Sequence, residues 1–414
     1  MRMFYGWVIV AAGFLMSVIG MGTRYSFGVF FKAMEADFGM TRSMVSGVFS
    51  LYMMISCVFA VLGGWAMDRK GPRKVVLLMG VFTGLSMILT SRVHTPWLLM
   101  FTYSLLLSMG TGPTYGIANT TTSRWFVKKR GFVLGITSSG GGLGAIVFAP
   151  LATYLISSFD WRTAFVVIGL LSGLLLIGVS IMFVKDPRDL GLFPDGAKSE
   201  PQRGGLPKEG VPEKKDAPAE GFSLGQAYRM SQFWLLALTW VFASLSLHMI
   251  FVHVVPYAVD SGITPMDASL IISLIGFSNI PGRLVTGRIS DAVGRKALAV
   301  ACPLLQFAAL FCLMWAHKLW MLYTFGIVFG FLWGGGGTMV TAIIGDTFGM
   351  RNLGAIMGWM SGAWALGAAI GPAIGGYIFD VSGEYFAAFG AGAASLVIAA
   401  CLVGFVKRAP DKGV

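Results

Sequence analysis

Two arginines, Arg24 and Arg283, stand deep inside long apolar stretches, and no Asp or Glu lies at comparable depth in any of them. A guanidinium stays charged, and its planar fork matches the two oxygens of a carboxylate. Two cations without buried counter-charges call for an anionic ligand. A cavity built to carry cations would be expected to show acids instead. Arg283 sits about 12 Å of helix inside Asp291 and one turn after Asn279, so both face the same way. The bland alternative is an arginine satisfied by backbone carbonyls. Arg24 either lines a cavity, with Tyr25 beside it, or snorkels outward. His248 and His253, two of only four histidines, share one stretch. Five residues turn a helix by about 140°, so the two cannot share a face equally. A lone helical histidine is usually structural, but an imidazole titrating near pH 6.5 suits a proton carrier. Tyr115 follows Gly110-Thr111-Gly112-Pro113-Thr114, a sequence that would break a helix and turn the phenol inward; Asn119 lies one turn on.

These groups need elements to hold them. Of the 414 residues, 56% are hydrophobic and 12% charged, against about 25% charged in soluble proteins. Lipid is the solvent that fits. Twelve apolar runs, 5–31, 44–67, 74–92, 97–122, 131–157, 161–184, 232–258, 268–288, 297–315, 320–345, 353–379 and 385–406, are each long enough to cross about 30 Å of hydrocarbon as helices. The alternation of a membrane barrel is missing. The expected fold class is all-α, with 12 transmembrane helices. The 56 glycines suit close helix contacts in lipid. Runs 140–142 and 334–337 lie within spans and no Walker lysine follows them, so ATP-driven transport is not indicated.

The net charge of +12 is unevenly placed. With both termini inside, most Lys and Arg fall on the cytoplasmic side; Lys32, Arg42, Arg92, Arg162 and Lys318 fall opposite. That asymmetry orients a multi-pass protein of the cytoplasmic (inner) membrane and favours anionic lipid over nucleic acid as the partner of the basic surface. Cys57, Cys302, Cys312 and Cys401 form no CxxC pair and read as buried, inert thiols. No metal-ligand cluster, cofactor motif or catalytic constellation is evident, so an enzyme is not expected.

The chain also repeats itself. Gly64, Asp68 and Gly71 reappear as Gly287, Asp291 and Gly294, each 223 residues on. Ala149-Pro150 matches Gly371-Pro372, and the 38–41 stretch matches 261–264. The polar, Pro-, Gly- and Lys-rich segment 186–228 divides six spans from six. The expected domains are therefore 1–185, a cytoplasmic linker at 186–228, and 229–414, two parallel repeats with a site at their interface.

Gly64-Trp-Ala-Met-Asp68-Arg69-Lys70-Gly71-Pro72-Arg73-Lys74 fits G-x-x-x-D-R-x-G-x-R-K between the second and third spans. There the chain resembles the major facilitator superfamily. Gly64 would permit close helix approach, and Asp68 can face a positive helix N-terminus in the other half. Pseudo-symmetry places Asp68 near Arg351, and Asp291 near Lys129 or Arg130. With Arg69, Arg73 and Arg295 these would latch the cytoplasmic side. Segment 124–140, Arg-Trp-Phe-Val-Lys-Lys-Arg-Gly-Phe-Val-Leu-Gly-Ile-Thr-Ser-Ser-Gly, resembles the fifth-helix signature of the monocarboxylate transporter family. Tyr5-Gly6-Trp7 resembles its first-helix signature, and segment 188–196 is similar to bacterial members and to oxalate–formate exchangers.

That resemblance implies two pseudo-symmetric six-helix bundles and proton-coupled transport of a lactate- or pyruvate-like acid by a monomer. It sets Arg283 on the family's substrate-binding arginine and Asn279 where a proton-linked aspartate stands, so the proton carrier falls to His253 or His248. Tyr115, Arg24, Tyr25 and Asn119 complete the expected polar shell. Two rivals are an obligatory anion exchanger of the oxalate–formate type, with the two arginines matching two carboxylates, and a membrane carboxylate sensor.

Overall fold

The computed structural model describes residues 4–197, 221–349 and 352–407. Among these residues the regular structure is helical apart from one isolated bridge between Gly221 and Gly349. Eleven helical paths are long and apolar enough to cross a bilayer. They are Gly6–Phe38, Arg42–Lys70, Pro72–Thr90, Arg130–Ser158, Trp161–Met182, Ser231–Asp260, Pro265–Val293, Arg295–Leu313, Leu319–Phe348, Leu353–Ser382 and Phe386–Phe405. The fourth crossing is segmented: Pro96–Leu99, a π-helical stretch Met100–Leu106, Leu107–Thr111 and Thr114–Trp125. The protein is thus an all-α, multi-spanning membrane protein of twelve crossings in two six-helix bundles. The span numbers below follow this order.

The first run continues past its expected end at residue 31. It breaks at Ser26 into Gly6–Tyr25 and Phe27–Phe38, where the Ser26 hydroxyl donates to the Thr23 carbonyl at 3.0 Å. Its polar end, with Lys32 and Glu35, stays helical because those side chains find ion-pair partners. The fourth span breaks at Gly112-Pro113, as the ring without an N–H demands. Gly71 and Gly294 end the second and eighth spans with φ of +82° and +92°, a left-handed conformation that glycine adopts freely. The repeated glycine of the duplication is therefore a turn requirement.

The bundles meet through spans 2 and 11 and through spans 5 and 8, two pairs exchanged by the duplication. Gly142 and Gly276 form the tightest part of the second pair. A Cβ on Gly142 would lie 2.6 Å from the Gly276 carbonyl oxygen, and one on Gly276 2.7 Å from that of Gly142. Gly140 likewise admits the Phe14 carbonyl, and Gly334 the backbone of Asn279. Gly64 differs from expectation: nothing lies within contact of a Cβ placed there, and Gly63 takes the close approach, against the Pro113 ring. The cysteines differ too. Cys302 is buried, but Cys57 is only partly buried, and Cys312 and Cys401 are exposed.

Candidate functional site

The loops carrying Arg69–Lys74, Lys128–Arg130 and Arg295–Lys296 define a basic end; the turns near Arg42, Asp260 and Asp380 define the far end. The hydrogen bonds, ion pairs and ring contacts between described residues of opposite bundles lie at mid-span or beyond it toward the far end. Span 1 meets span 7 by Tyr25 stacked on Phe251 (4.2 Å) and span 10 by Tyr25 edge-on to Trp333. Ser273 of span 8 donates to the Ala145 and Ile146 carbonyls of span 5. Nothing comparable ties the bundles together at the basic end among the described residues, so the cavity opens there.

The far end is closed by charge. Arg42, with a side chain 6% exposed, pairs with Glu35 (3.1 Å) and with Asp260 of the other bundle (2.6 Å). Lys32 bridges the same two acids at 3.3 and 2.9 Å, completing an alternating ring. Asp380, at the end of span 11, accepts from the backbone N–H groups of Arg42 and Ser43, both at 2.9 Å. A carboxylate there satisfies free donors at a positive helix end. The Arg42 guanidinium lies 3.6 Å above the Phe379 ring. None of Arg42, Glu35, Asp260 and Asp380 stood out in the sequence, because charges at span ends are commonplace.

Deep in the opening lie the arginines. Span 8 is held tightly to span 10 around Arg283: a side chain at Gly282 would collide with the Phe331 backbone, and one at Gly334 with that of Asn279. Arg283 has no hydrogen-bond or ion-pair acceptor among the described residues, and its Nε is buried without a partner. Asn279, 4% exposed, leaves its Nδ2 buried and unpartnered one turn away. Two orphan donors thus share one face, where a buried donor without an acceptor costs about 1–3 kcal/mol. Arg24 donates from Nε to the Tyr52 hydroxyl at 3.2 Å, which in turn contacts the Thr111 hydroxyl at 2.7 Å. The Tyr25 phenol lies within electrostatic reach of Arg24, Arg283 and Tyr115. The structure therefore sets Tyr25 near both arginines.

The other expected residues are placed differently. His248 donates from Nδ1 to the Ser244 carbonyl (3.0 Å) and packs edge-on to Trp364; its remaining nitrogen, Nε2, has no partner among the described residues. His253 is wholly buried in the far-end seal. Its Nε2 contacts the Pro372 carbonyl (2.9 Å) and its Nδ1 the Tyr385 hydroxyl (3.2 Å). With both nitrogens occupied, it stands apart from the open cavity. Tyr115 is exposed toward the opening and touches the Ser138 hydroxyl; Asn119 accepts from Thr137, linking spans 4 and 5. Trp333 and Trp364 also wall a side pocket in the second bundle, whose polar lining comes from Thr239, Trp240 and Gln306.

The basic-end charges pair within bundles in this conformation. Asp68 binds Arg124 at 2.8 Å, and Arg295 binds Asp346 at 2.6 Å. The expected partner of Asp68, Arg351, lies outside the described residues, as does 198–220 of the linker. Asp291 makes no ion pair with Lys129 or Arg130, because the bundles stand apart at that end. Arg69 stacks on Trp65 at 4.4 Å, and Arg73 is exposed. Arg124 and Asp346 escaped the sequence reading; they occupy equivalent positions of the repeat with opposite signs. Among the described residues no group of His, Cys, Asp and Glu could hold a metal ion.

The family profile of the Major Facilitator Superfamily matches residues 13–305 and again 241–414. The chain belongs to the major facilitator superfamily. Two overlapping matches accord with the internal duplication. Monocarboxylate transporter 12 of Rattus norvegicus is 25% identical over 98% of this chain and 86% of its own length. Monocarboxylate transporter 13 of Rattus norvegicus is 27% identical over 93% and 85%. Monocarboxylate transporter 11 of Homo sapiens is 24% identical over 93% and 79%. Superfamily membership makes this a secondary transport protein of the membrane, not an enzyme.

Proposed function

We propose that this superfamily member carries short-chain organic carboxylates, lactate- and pyruvate-like monocarboxylates among them, together with a proton by alternating access. The observation that supports this most is Arg283: a mid-span guanidinium with no acceptor among the described residues, one turn from the likewise unpartnered Asn279 Nδ2. A carboxylate would satisfy the fork bidentately and leave the amide to a second oxygen. Charge at the centre of a span costs about 2.5–3.5 kcal/mol even on insertion scales, which an anionic ligand offsets. The names of the similar transporters point the same way.

In this reading the basic end faces the cytoplasm of an inner membrane, both termini included, and the structure is the inward-open state of a monomer. The far-end charge ring and the Tyr25–Phe251 stack close the outside. Reorientation would part them and bring Asp68, Arg69, Arg73 and Arg351 toward the other bundle, with Asp291 and Arg295 meeting Lys129 and Arg130. Because Asn279 cannot ionise, the proton falls to His248, buried within electrostatic reach of Arg24 and with no partner for its Nε2 among the described residues, while His253 belongs to the seal. Obligatory exchange is favoured by one feature: an empty cavity keeps uncompensated guanidinium charge, which opposes reorientation without an anion.

Uptake of labelled L-lactate by proteoliposomes, with an inward proton gradient and empty interiors, tests the proposal. Gradient-driven accumulation in the wild type, lost in Arg283→Gln, is the expected result. Uptake only into acid-preloaded vesicles would establish exchange. Equal uptake by variant and wild type would refute the role of Arg283.

A further inference from the structure

We infer that Arg24 forms a second anion subsite in the same cavity, so that acids bearing two carboxylates, or a carboxylate and another oxyanion, bind better than monocarboxylates of equal length. This rests on the proposed carboxylate site at Arg283 and extends it.

Arg24 sits at the middle of span 1, the bundle opposite Arg283, just before the break at Ser26. Among the described residues its one hydrogen bond runs from Nε to the Tyr52 hydroxyl. Its two Nη groups have no partner among the described residues, yet they are not among the atoms sealed from solvent, and the residue is only partly buried. They are therefore available to a ligand. Among the described residues no carboxylate pairs with the guanidinium; its electrostatic neighbours are the phenols of Tyr52, Tyr25 and Tyr103. An arginine held only for packing would be expected to find an acid or a carbonyl.

The mount is rigid. Tyr52 is fully buried, fixed by Thr111 through its hydroxyl and by Phe49 and Tyr103 through its ring. Span 1 is pinned beyond the break because a side chain at Gly28 would meet the Phe251 carbonyl. The end-on fork of Arg24 is thus presented with its Nε already satisfied, the geometry that suits bidentate capture of an oxyanion. Tyr25, within electrostatic reach of both arginines, marks the bridge between the two subsites. A dianion bound across them neutralises both charges, whereas a monoanion leaves one exposed.

Binding of succinate and malonate can be compared with butyrate and propionate by thermal shift and by competition, using full-length protein in nanodiscs at pH 7.5. The wild type should bind the better dicarboxylate at least about tenfold tighter than its monocarboxylate partner, as expected for one added charged hydrogen-bonded contact. Arg24→Gln should collapse that ratio to about twofold or less, and Arg24→Lys should give an intermediate ratio because a point charge cannot chelate. Arg283→Gln should weaken both acids. If Arg24→Gln does not fold, Tyr52→Phe frees the Arg24 mount and must lower the same ratio. No preference in the wild type, or a preference that survives these substitutions, overturns the second subsite alone. Failure of the wild type to bind any of the four acids overturns it together with the carboxylate reading.

Discussion

At the scale of single residues, the proposed function rests on donors that the fold leaves unanswered. Asn279 and Arg283 share one face of span 8, and among the described residues nothing accepts from the Asn279 Nδ2 or the Arg283 guanidinium. Asn279→Asp should place a carboxylate one turn from Arg283, where it competes with the substrate for the fork. The apparent affinity for L-lactate at pH 7.5 should then fall about tenfold, the order of one charged hydrogen bond, as read from the concentration dependence of uptake. An unchanged affinity would show that the new carboxylate does not compete with the substrate for the Arg283 fork. Arg283 drew notice in the sequence because an arginine inside an apolar run has no bland solvent-facing explanation, and Asn279 through the family resemblance. Arg24 was legible as an oddity, but its Tyr52 partner, 28 residues away, was not. His253 misled: sequence shows a histidine on the right helix, and only the fold shows both its nitrogens occupied.

At the scale of elements, the far-end ring joins the ends of spans 1, 2 and 7, and the Asp380 cap adds span 11. Arg42→Gln removes two ion pairs and the contact with Phe379, while Asp260 remains one-third exposed. The loss is therefore below that of a fully buried pair, about 1–2 kcal/mol, which shifts the sealed-to-open ratio about 5- to 30-fold. Introducing Ser46→Cys in a background without Cys57, Cys302, Cys312 and Cys401 provides the readout. Labelling of that cysteine by an impermeant thiol reagent from the far side should accelerate in Arg42→Gln, and Asp260→Asn, which removes the cross-bundle pairs with Arg42 and Lys32, should accelerate it similarly. Equal labelling rates would show that apolar packing, not the ring, closes this end. Helix positions and most boundaries could be read from hydropathy alone. The ring could not, since its partners are up to 228 residues apart and charges at span ends carry no distinguishing signal.

At the scale of the whole molecule, the duplication gives two equivalent seams, spans 2 with 11 and spans 5 with 8, about which the bundles would rock in the proposed cycle. Sequence offsets revealed the repeat, and the repeat predicted latches between bundles at the basic end. The open conformation instead shows Asp68 with Arg124 and Arg295 with Asp346, because which partner a charge takes depends on where the bundles stand, and one sequence serves every position in the cycle. The seams themselves are tight. Gly276→Val would press side-chain atoms into the Gly142 carbonyl and Ala145. Overpacking of this kind costs about 1–3 kcal/mol, so the thermal midpoint should drop and uptake should be lost even where folded protein is recovered. Gly64→Ala, where the space is open, should leave the midpoint unchanged.

The guanidinium of Arg283 is the proposed anchor of an anionic cargo. Equilibrium binding of L-lactate to purified protein, competed by pyruvate or by the uncharged lactamide, tests this most directly. Saturable binding displaced by pyruvate, untouched by lactamide and absent in Arg283→Gln is the predicted result. Binding that lactamide displaces equally, or that Arg283→Gln retains at full affinity, would contradict it.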